Sequence, residues 1–201
     1  WSSITPALGG FHTCGITTAG DGYCWGNNQF NQLASGLPAS SAVPVEISGG
    51  NVWASITAGA LHNCGITTGG DGYCWGSRLF SQIGDGKTTD SSVPREVSGN
   101  HTWASINAGD GHTCGVTTAG DGYCWGYAEF GQIGDGSTYD GSPPAINVPV
   151  EVSGSRTWAS INAGYQHTCG VTIADDAYCW GDNTAGQLGN NGANIGRNTP
   201  N

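Results

Sequence analysis

The chain contains no methionine, only five lysines and arginines, and no long apolar run. The missing methionine includes the initiator, so the 201 residues read as a processed product or an excerpt of a longer repetitive protein. A membrane helix needs about 20 consecutive apolar residues, and membrane insertion is therefore not expected. Five basic residues stand against fifteen acidic ones, a net charge of −10. Arg78, Lys87, Arg95, Arg156 and Arg197 are scattered, whereas binding a phosphate backbone relies on clustered cations. Nucleic acid and anionic membrane surfaces are not expected partners. Helical periodicity is absent, which leaves an all-β chain. Also absent are a G-x-S-x-G elbow, a phosphate-cradling glycine loop followed by lysine, and H-E-x-x-H. No catalytic residue and no cofactor are assigned, and the chain reads as a non-enzyme.

What is abundant is glycine, with 36 residues, and a sentence written four times. The third copy runs Trp103-Ala-Ser-Ile-Asn-Ala-Gly109, His112-Thr-Cys114-Gly-Val116, Asp121-Gly-Tyr-Cys-Trp-Gly126 and Gly131-Gln-Ile-Gly-Asp-Gly136. The others begin at Trp1, Trp53 and Trp158. Cys14, Cys64 and Cys114 are 50 residues apart, and Cys169 follows after 55 because of an insert around 141–147. A period near 50 built from short strand-like runs is the mark of a propeller or solenoid, whose units must stack to bury their faces. The expectation is a single β-propeller domain over 1–201, with repeats at 1–52, 53–102, 103–157 and 158–201.

Alternation and turn signals give four strands per repeat, in the third copy near 102–108, 112–117, 121–127 and 148–153. The last has a proline at its second position, as do Val43-Pro44 and Val93-Pro94, which suits an edge strand. Between the second and third strands, Thr118-Ala119-Gly120 fits a three-residue hairpin loop ending in a left-handed glycine. The fourth copy has Asp175 there, a residue that tolerates that conformation. This loop pairs Val116 with Gly122, Gly115 with Tyr123 and Cys114 with Cys124, leaving room over Gly115 for the Tyr123 ring. The cysteines fall on a non-hydrogen-bonded pair, where Cα atoms approach to roughly 4.5 Å, within disulfide reach. Four bridges follow: Cys14–Cys24, Cys64–Cys74, Cys114–Cys124 and Cys169–Cys179. Each would contribute roughly 2–3 kcal/mol, and such cysteine usage points to an oxidising compartment.

Two sets of residues invite a metal reading. His12, Cys14 and Cys24 form a recurring H-x-C…C set, but zinc gets only three ligands from it. The histidine reads instead as a structural hydrogen-bonder tying its turn to a neighbouring strand. Asp85 and Asp90, and again Asp135 and Asp140, place two carboxylates in a loop that calcium could use; the ordinary Asp-Gly turn is the competing reading and is preferred, so no metal is assigned. Asn100-His101-Thr102 is the one N-x-T sequon.

The motifs Ala108-Gly109…His112-Thr113, Trp125-Gly126, Gly131-Gln132-Ile133-Gly134 and Pro149 resemble the repeat of the regulator of chromosome condensation family of β-propellers. Trp180-Gly181-Asp182-Asn183 and Gly186-Gln187-Leu188-Gly189 resemble it more closely still. The cysteine-bearing version is similar to extracellular bacterial members. The resemblance implies four-stranded blades in a ring that typically has seven, whereas four repeats are visible. The first copy departs from the pattern with two extra residues in Ala7-Leu8-Gly9-Gly10-Phe11, and Gln32-Leu33-Ala34-Ser35-Gly36 loses a glycine. GTPase exchange with chromatin docking, a precedent in the family, sits poorly with the acidity and the cysteines.

The expected function is a secreted or cell-surface structural or adhesive protein. It would self-associate through its end blades, near Trp1, Ile4, Thr199 and Pro200, into a homo-oligomeric ring or a polymer, because an unpaired strand edge is a template for another chain. The alternative is an extracellular module binding a protein or glycan through propeller loops, as the resemblance to secreted β-lactamase inhibitors implies. Tyr127, Phe130, Tyr139 and Tyr165 are its candidate anchors, since aromatics dominate hot spots. Partial burial between blades is the plainer account of the same four residues.

Overall fold

The computed structural model describes residues 1–36, 40–138, 145–191 and 196–200. Among the described residues fifteen strands form four antiparallel meanders, each following the chain order. The first contains β1 (Ser3–Pro6), β2 (His12–Ile16), β3 (Gly22–Gly26) and β4 (Ser41–Glu46). The second contains β5 (Trp53–Ala58), β6 (His62–Thr67), β7 (Gly72–Gly76) and β8 (Ser91–Glu96). The third contains β9 (Trp103–Ala108), β10 (His112–Thr117), β11 (Gly122–Tyr127) and β12 (Ala145–Glu151). The fourth has three strands, β13 (Trp158–Ala163), β14 (His167–Thr172) and β15 (Ala177–Gly181). The first strands β1, β5, β9 and β13 touch in succession, so they are innermost, and the proline-bearing β4, β8 and β12 are outer edges. The ring is open between the first and fourth sheets.

The hairpin register matches the count made from the loop. Cys114 lies opposite Cys124, Thr113 opposite Trp125 and Gly115 opposite Tyr123. Gly20, Gly70 and Gly120 take φ of 93°, 90° and 90°, and Asp175 takes 66°. Only a residue that accepts the left-handed region closes this loop. The four disulfides are formed, with Cα separations of 4.0, 4.0, 4.1 and 4.1 Å in chain order.

Three details differ from the sequence reading. β11 begins at Gly122 because Asp121 is spent on the turn, its carbonyl accepting the Thr117 N–H at 2.9 Å. β12 starts at Ala145 and ends at Glu151, since a register shift between Cys124 and Gly126 lets Ile146 pair with Gly126 and Ala145 with Tyr127. The space over Gly115 is filled by Trp103, not Tyr123: a Cβ there would sit 2.7 Å from Trp103 Cζ3. Tyr123 meets that indole edge-on at 6.0 Å instead.

Among the described residues no blade has a core of its own. Each apolar cluster spans two blades, with a disulfide and aliphatic side chains from one and tryptophans from the next. Cys64, Cys74, Ile66, Ile83 and Val97 of the second blade pack on Trp103, Ile106 and Trp125 of the third. The other two clusters repeat this, with Trp53 and Trp75 on the first blade, and Trp158 and Trp180 on the third. Each blade therefore has a disulfide face looking forward and a tryptophan face looking back.

Candidate functional site

The most developed polar structure also lies between blades. His62 Nε2 is 2.9 Å from Thr113 Oγ1, and that hydroxyl donates to the Gln82 carbonyl at 2.8 Å. The Trp125 indole N–H donates to the same carbonyl at 2.9 Å. At the next boundary His112 meets Thr168 at 2.8 Å, while Thr168 and Trp180 both donate to the Gln132 carbonyl. At the first, His12 meets Asn63 Oδ1 at 2.8 Å, while Asn63 and Trp75 donate to the Gln32 carbonyl. A histidine and a glutamine of one blade thus grip one side chain and one indole of the next. We call this arrangement the clasp.

The proton positions follow from the donor inventory. The single hydroxyl proton of Thr113 goes to Gln82, so Thr113 accepts from His62, which must carry its proton on Nε2. The amide oxygen of Asn63 is likewise an acceptor, giving His12 the same tautomer. Nδ1 of His12, His62 and His112 is left as a bare lone pair, buried without a partner. Burial, reinforced by the charge of neighbouring histidines, pushes His62 and His112 down to about 3, and burial also lowers His12 against the pull of Asn63. These rings are held neutral, which suits a scaffold joint. No cysteine thiolate is free to join them, because all eight are in disulfides.

The residues named from the sequence divide among several places. Trp1 and Ile4 lie on the back-facing side of the first blade and are exposed. Thr199 is exposed and Pro200 buried, just after an isolated bridge between Gly181 and Arg197. That bridge is the counterpart of the Gly126 and Ile146 pair, and Asn198 bonds the Gly136 carbonyl as Asn147 bonds Gly86. The segment Asn198-Thr199-Pro200 so occupies the place that Asn147-Val148-Pro149 holds one blade earlier.

The loop aromatics are partly drawn together. Tyr127 packs 4.5 Å from Phe80 and 5.9 Å from Phe130, while Tyr165 stands apart and is 64% exposed. Tyr139 and Asp140 lie outside the described residues. Beside Phe130 is a groove of about 490 Å³ between the third and fourth repeats, lined in part by Glu129, Thr138, Asp182 and Asn198.

The calcium reading at Asp85 and Asp90 does not match the geometry. Arg78 fills that loop: its guanidinium pairs with both Asp85 oxygens, and its backbone N–H bonds Asp90 at 2.7 Å. Burial raises the Asp85 carboxyl, but Arg78 and the Lys87 N–H outweigh it and the net shift is downward. Asp135 accepts the Ser137 N–H at 3.1 Å. Among the described residues no three His, Cys, Asp or Glu side chains are grouped to hold a metal.

Sequence reasoning missed the glutamines. Gln32, Gln82, Gln132 and Gln187 recur at one position, directly before Leu or Ile, and that recurrence was the available signal. It is the backbone carbonyl that acts between blades, while the side chain folds back to bond the N–H two residues earlier.

The family model described as Regulator of chromosome condensation (RCC1) repeat matches residues 19–66, 70–116 and 119–171. A second model of the same description matches 103–132 and 158–187. No curated protein matches the chain. Among solved structures, Prp20p from Saccharomyces cerevisiae is 21% identical with a TM-score of 0.85, over 98% of this chain and 49% of that one. Human WBSCR16 is 19% identical with a TM-score of 0.81, over 98% and 51%. The receptor kinase CR4 ectodomain from Physcomitrella patens is 23% identical with a TM-score of 0.54, over 89% and 39%. At these identities the likeness is one of fold. The chain spans about half the length of the first two.

Two outcomes test the clasp. Thr168→Val removes an acceptor from His112 and a donor from Gln132, and should cost about 1–3 kcal/mol in urea unfolding. Thr113→Asn keeps both roles, as Asn63 does, and should cost clearly less. The histidines also set an acid response. Their folded values lie below the ordinary 6.5, so below that pH the unfolded chain takes up protons the folded one refuses. Stability should be full above about pH 6.5 and fall steadily toward pH 3. Urea midpoints that stay flat between pH 6.5 and 5 would contradict neutral buried histidines.

Proposed function

The chain belongs to the Regulator of chromosome condensation (RCC1) repeat family, and from that premise we propose that it is a non-enzymatic, secreted or cell-surface structural or adhesive protein that self-associates through its end blades. One observation carries this reading: each apolar core lies between two blades, a disulfide face of one packed on the tryptophan face of the next, so the repeats are units that hold together by docking face to face. Four disulfides support an oxidising location. Protein binding agrees with the relatives, since Prp20p is described with its binding properties to Gsp1p and histones, and yeast RCC1 with Kap60 bound.

A second reading is favoured by the loop face. The β1–β2 and β3–β4 loops and their repeats emerge at one end of the blades, because the strands alternate in direction. Phe11, 85% exposed, Leu79 and Tyr165 lie at that end, as do the Phe80, Tyr127 and Phe130 contacts. Under this reading the chain binds a protein or a glycan through those loops.

Electron microscopy of native material, neither concentrated nor refolded, separates the two. Regular filaments, tubes or rings are expected for self-association. Dispersed particles of single-chain size would contradict it and move the function to the loop face.

A further inference from the structure

A groove recurs on the loop face, between the second and third repeats and again between the third and fourth. In the first of these the chain supplies its own cation. The Arg78 side chain, 2% exposed, pairs with both Asp85 oxygens and donates to the Lys87 carbonyl at 3.2 Å. The fourth repeat joins the same two positions, where the Asn183 amide reaches Asn190 Oδ1 at 3.5 Å. The third repeat has Ala128 at the first position and Asp135 at the second. Its loop keeps the shape that holds the guanidinium one blade earlier. The Ser137 N–H donates to Asp135 at 3.1 Å, as the Lys87 N–H donates to Asp85 at 3.1 Å. Asn198 bonds the Gly136 carbonyl as Asn147 bonds that of Gly86.

The space beside the two loops differs. The groove next to Arg78 measures about 410 Å³, and the one that reaches Ala128, Ser137 and Thr138 measures about 490 Å³. Glu129 and Asp182 line the larger groove, with the Phe130 ring between repeats. Burial raises the Asp182 carboxyl, but the Thr184 N–H and O–H and the Gln187 amide donate to it and bring the net shift downward. These donors are neutral, so its negative charge is held in the groove wall without being cancelled.

We propose that this groove takes an arginine side chain of a partner protein, in the place that Arg78 fills from within the chain one blade earlier. The inference rests on the loop-face reading and names the chemistry of its partner. The guanidinium meets the Asp135 carboxylate and the Ser137 carbonyl, the counterparts of Asp85 and Lys87. A carboxylate has about four acceptor sites, so Asp135 holds the Ser137 N–H and the guanidinium together, as Asp85 does. The Ser137 carbonyl has room as well, since Asn198 approaches it only to 3.5 Å. Arginine suits the site better than lysine, because its planar fork reaches two acceptors at once and stacks on an aromatic face such as Phe130. The net charge of −10 adds long-range attraction for a basic partner. A neutral glycan brings no cation for these carboxylates.

Amide NMR of the full chain, titrated with the capped peptide acetyl-Gly-Arg-Gly-amide, tests this. The Ala128, Phe130 and Ser137 amides should shift and saturate together. The citrulline version of the peptide, alike in shape but uncharged, should bind about tenfold more weakly or worse. Asp135→Asn installs the residue that the fourth repeat has there, and should weaken the arginine peptide by about tenfold. Ala128→Arg supplies the guanidinium from within and should abolish binding; should that variant fail to fold, Asp135→Asn decides. Arginine and citrulline peptides of equal affinity, or an Asp135→Asn variant that binds as the wild type does, would overturn the groove. Shifts confined to Phe11, Leu79 and Tyr165 would overturn it too, while the loop-face reading stands. Loop amides unmoved by either peptide and by the trisaccharide chitotriose would count against both.

Discussion

Three backbone carbonyls, those of Gln32, Gln82 and Gln132, each accept two hydrogen bonds from the following blade, and the arrangement of the whole chain turns on them. A buried carbonyl left without a donor costs about 1–3 kcal/mol, so a blade cannot shift sideways without breaking a set of such bonds. The same boundary buries the tryptophans against the disulfides. Apolar packing supplies the driving force, being proportional to the area removed from water, while the clasp supplies register, because hydrogen bonds are directional and apolar contact is not. Glycine serves this geometry at particular points. Gly84 and Gly134 lie where a Cβ would be 2.5 and 2.4 Å from the indole nitrogens of Trp125 and Trp180, so the turn can approach the ring only without a side chain.

Much of the fold was legible in the sequence because it is periodic. A repeat that returns its cysteines at one spacing, with a glycine or Asp175 closing each hairpin, fixes a local register by simple counting. The hairpin pairing and the bridges needed no knowledge of anything distant. The fourth strand was placed less well, since its start depends on a bulge near Trp125 that no residue type announces. The contacts between blades were largely hidden for a related reason. His62 and Thr113 are 51 residues apart, and the acceptor they organise is a main-chain atom whose side chain points elsewhere. Recurrence of the glutamine marked the position as constrained without saying by what.

The loop carboxylates show what a local reading leaves out. Asp85 and Asp90 have the look of cation ligands, but Asp85 pairs with the Arg78 guanidinium of the same repeat and Asp90 accepts the Arg78 backbone N–H. Arg78 has no counterpart in the other copies, where Asn28, Ala128 and Asn183 take its place. Comparing copies was therefore informative where they agree, and blind where one copy has an arrangement of its own. Part of the acidity of the chain lies in the hairpin turns, where Thr17, Thr67 and Thr117 bond Asp21, Asp71 and Asp121. Such pairs stabilise turns and ask for no external partner.

The account makes the joint between blades the basis of stability, and hydrogen exchange at the tryptophan indoles reads that joint directly. The N–H groups of Trp75, Trp125 and Trp180 are bonded and buried, and that of Trp25 is the fourth member of the series. Slow exchange at the first three, with Trp25 faster, is the predicted result. Equal exchange at all four indoles would contradict it.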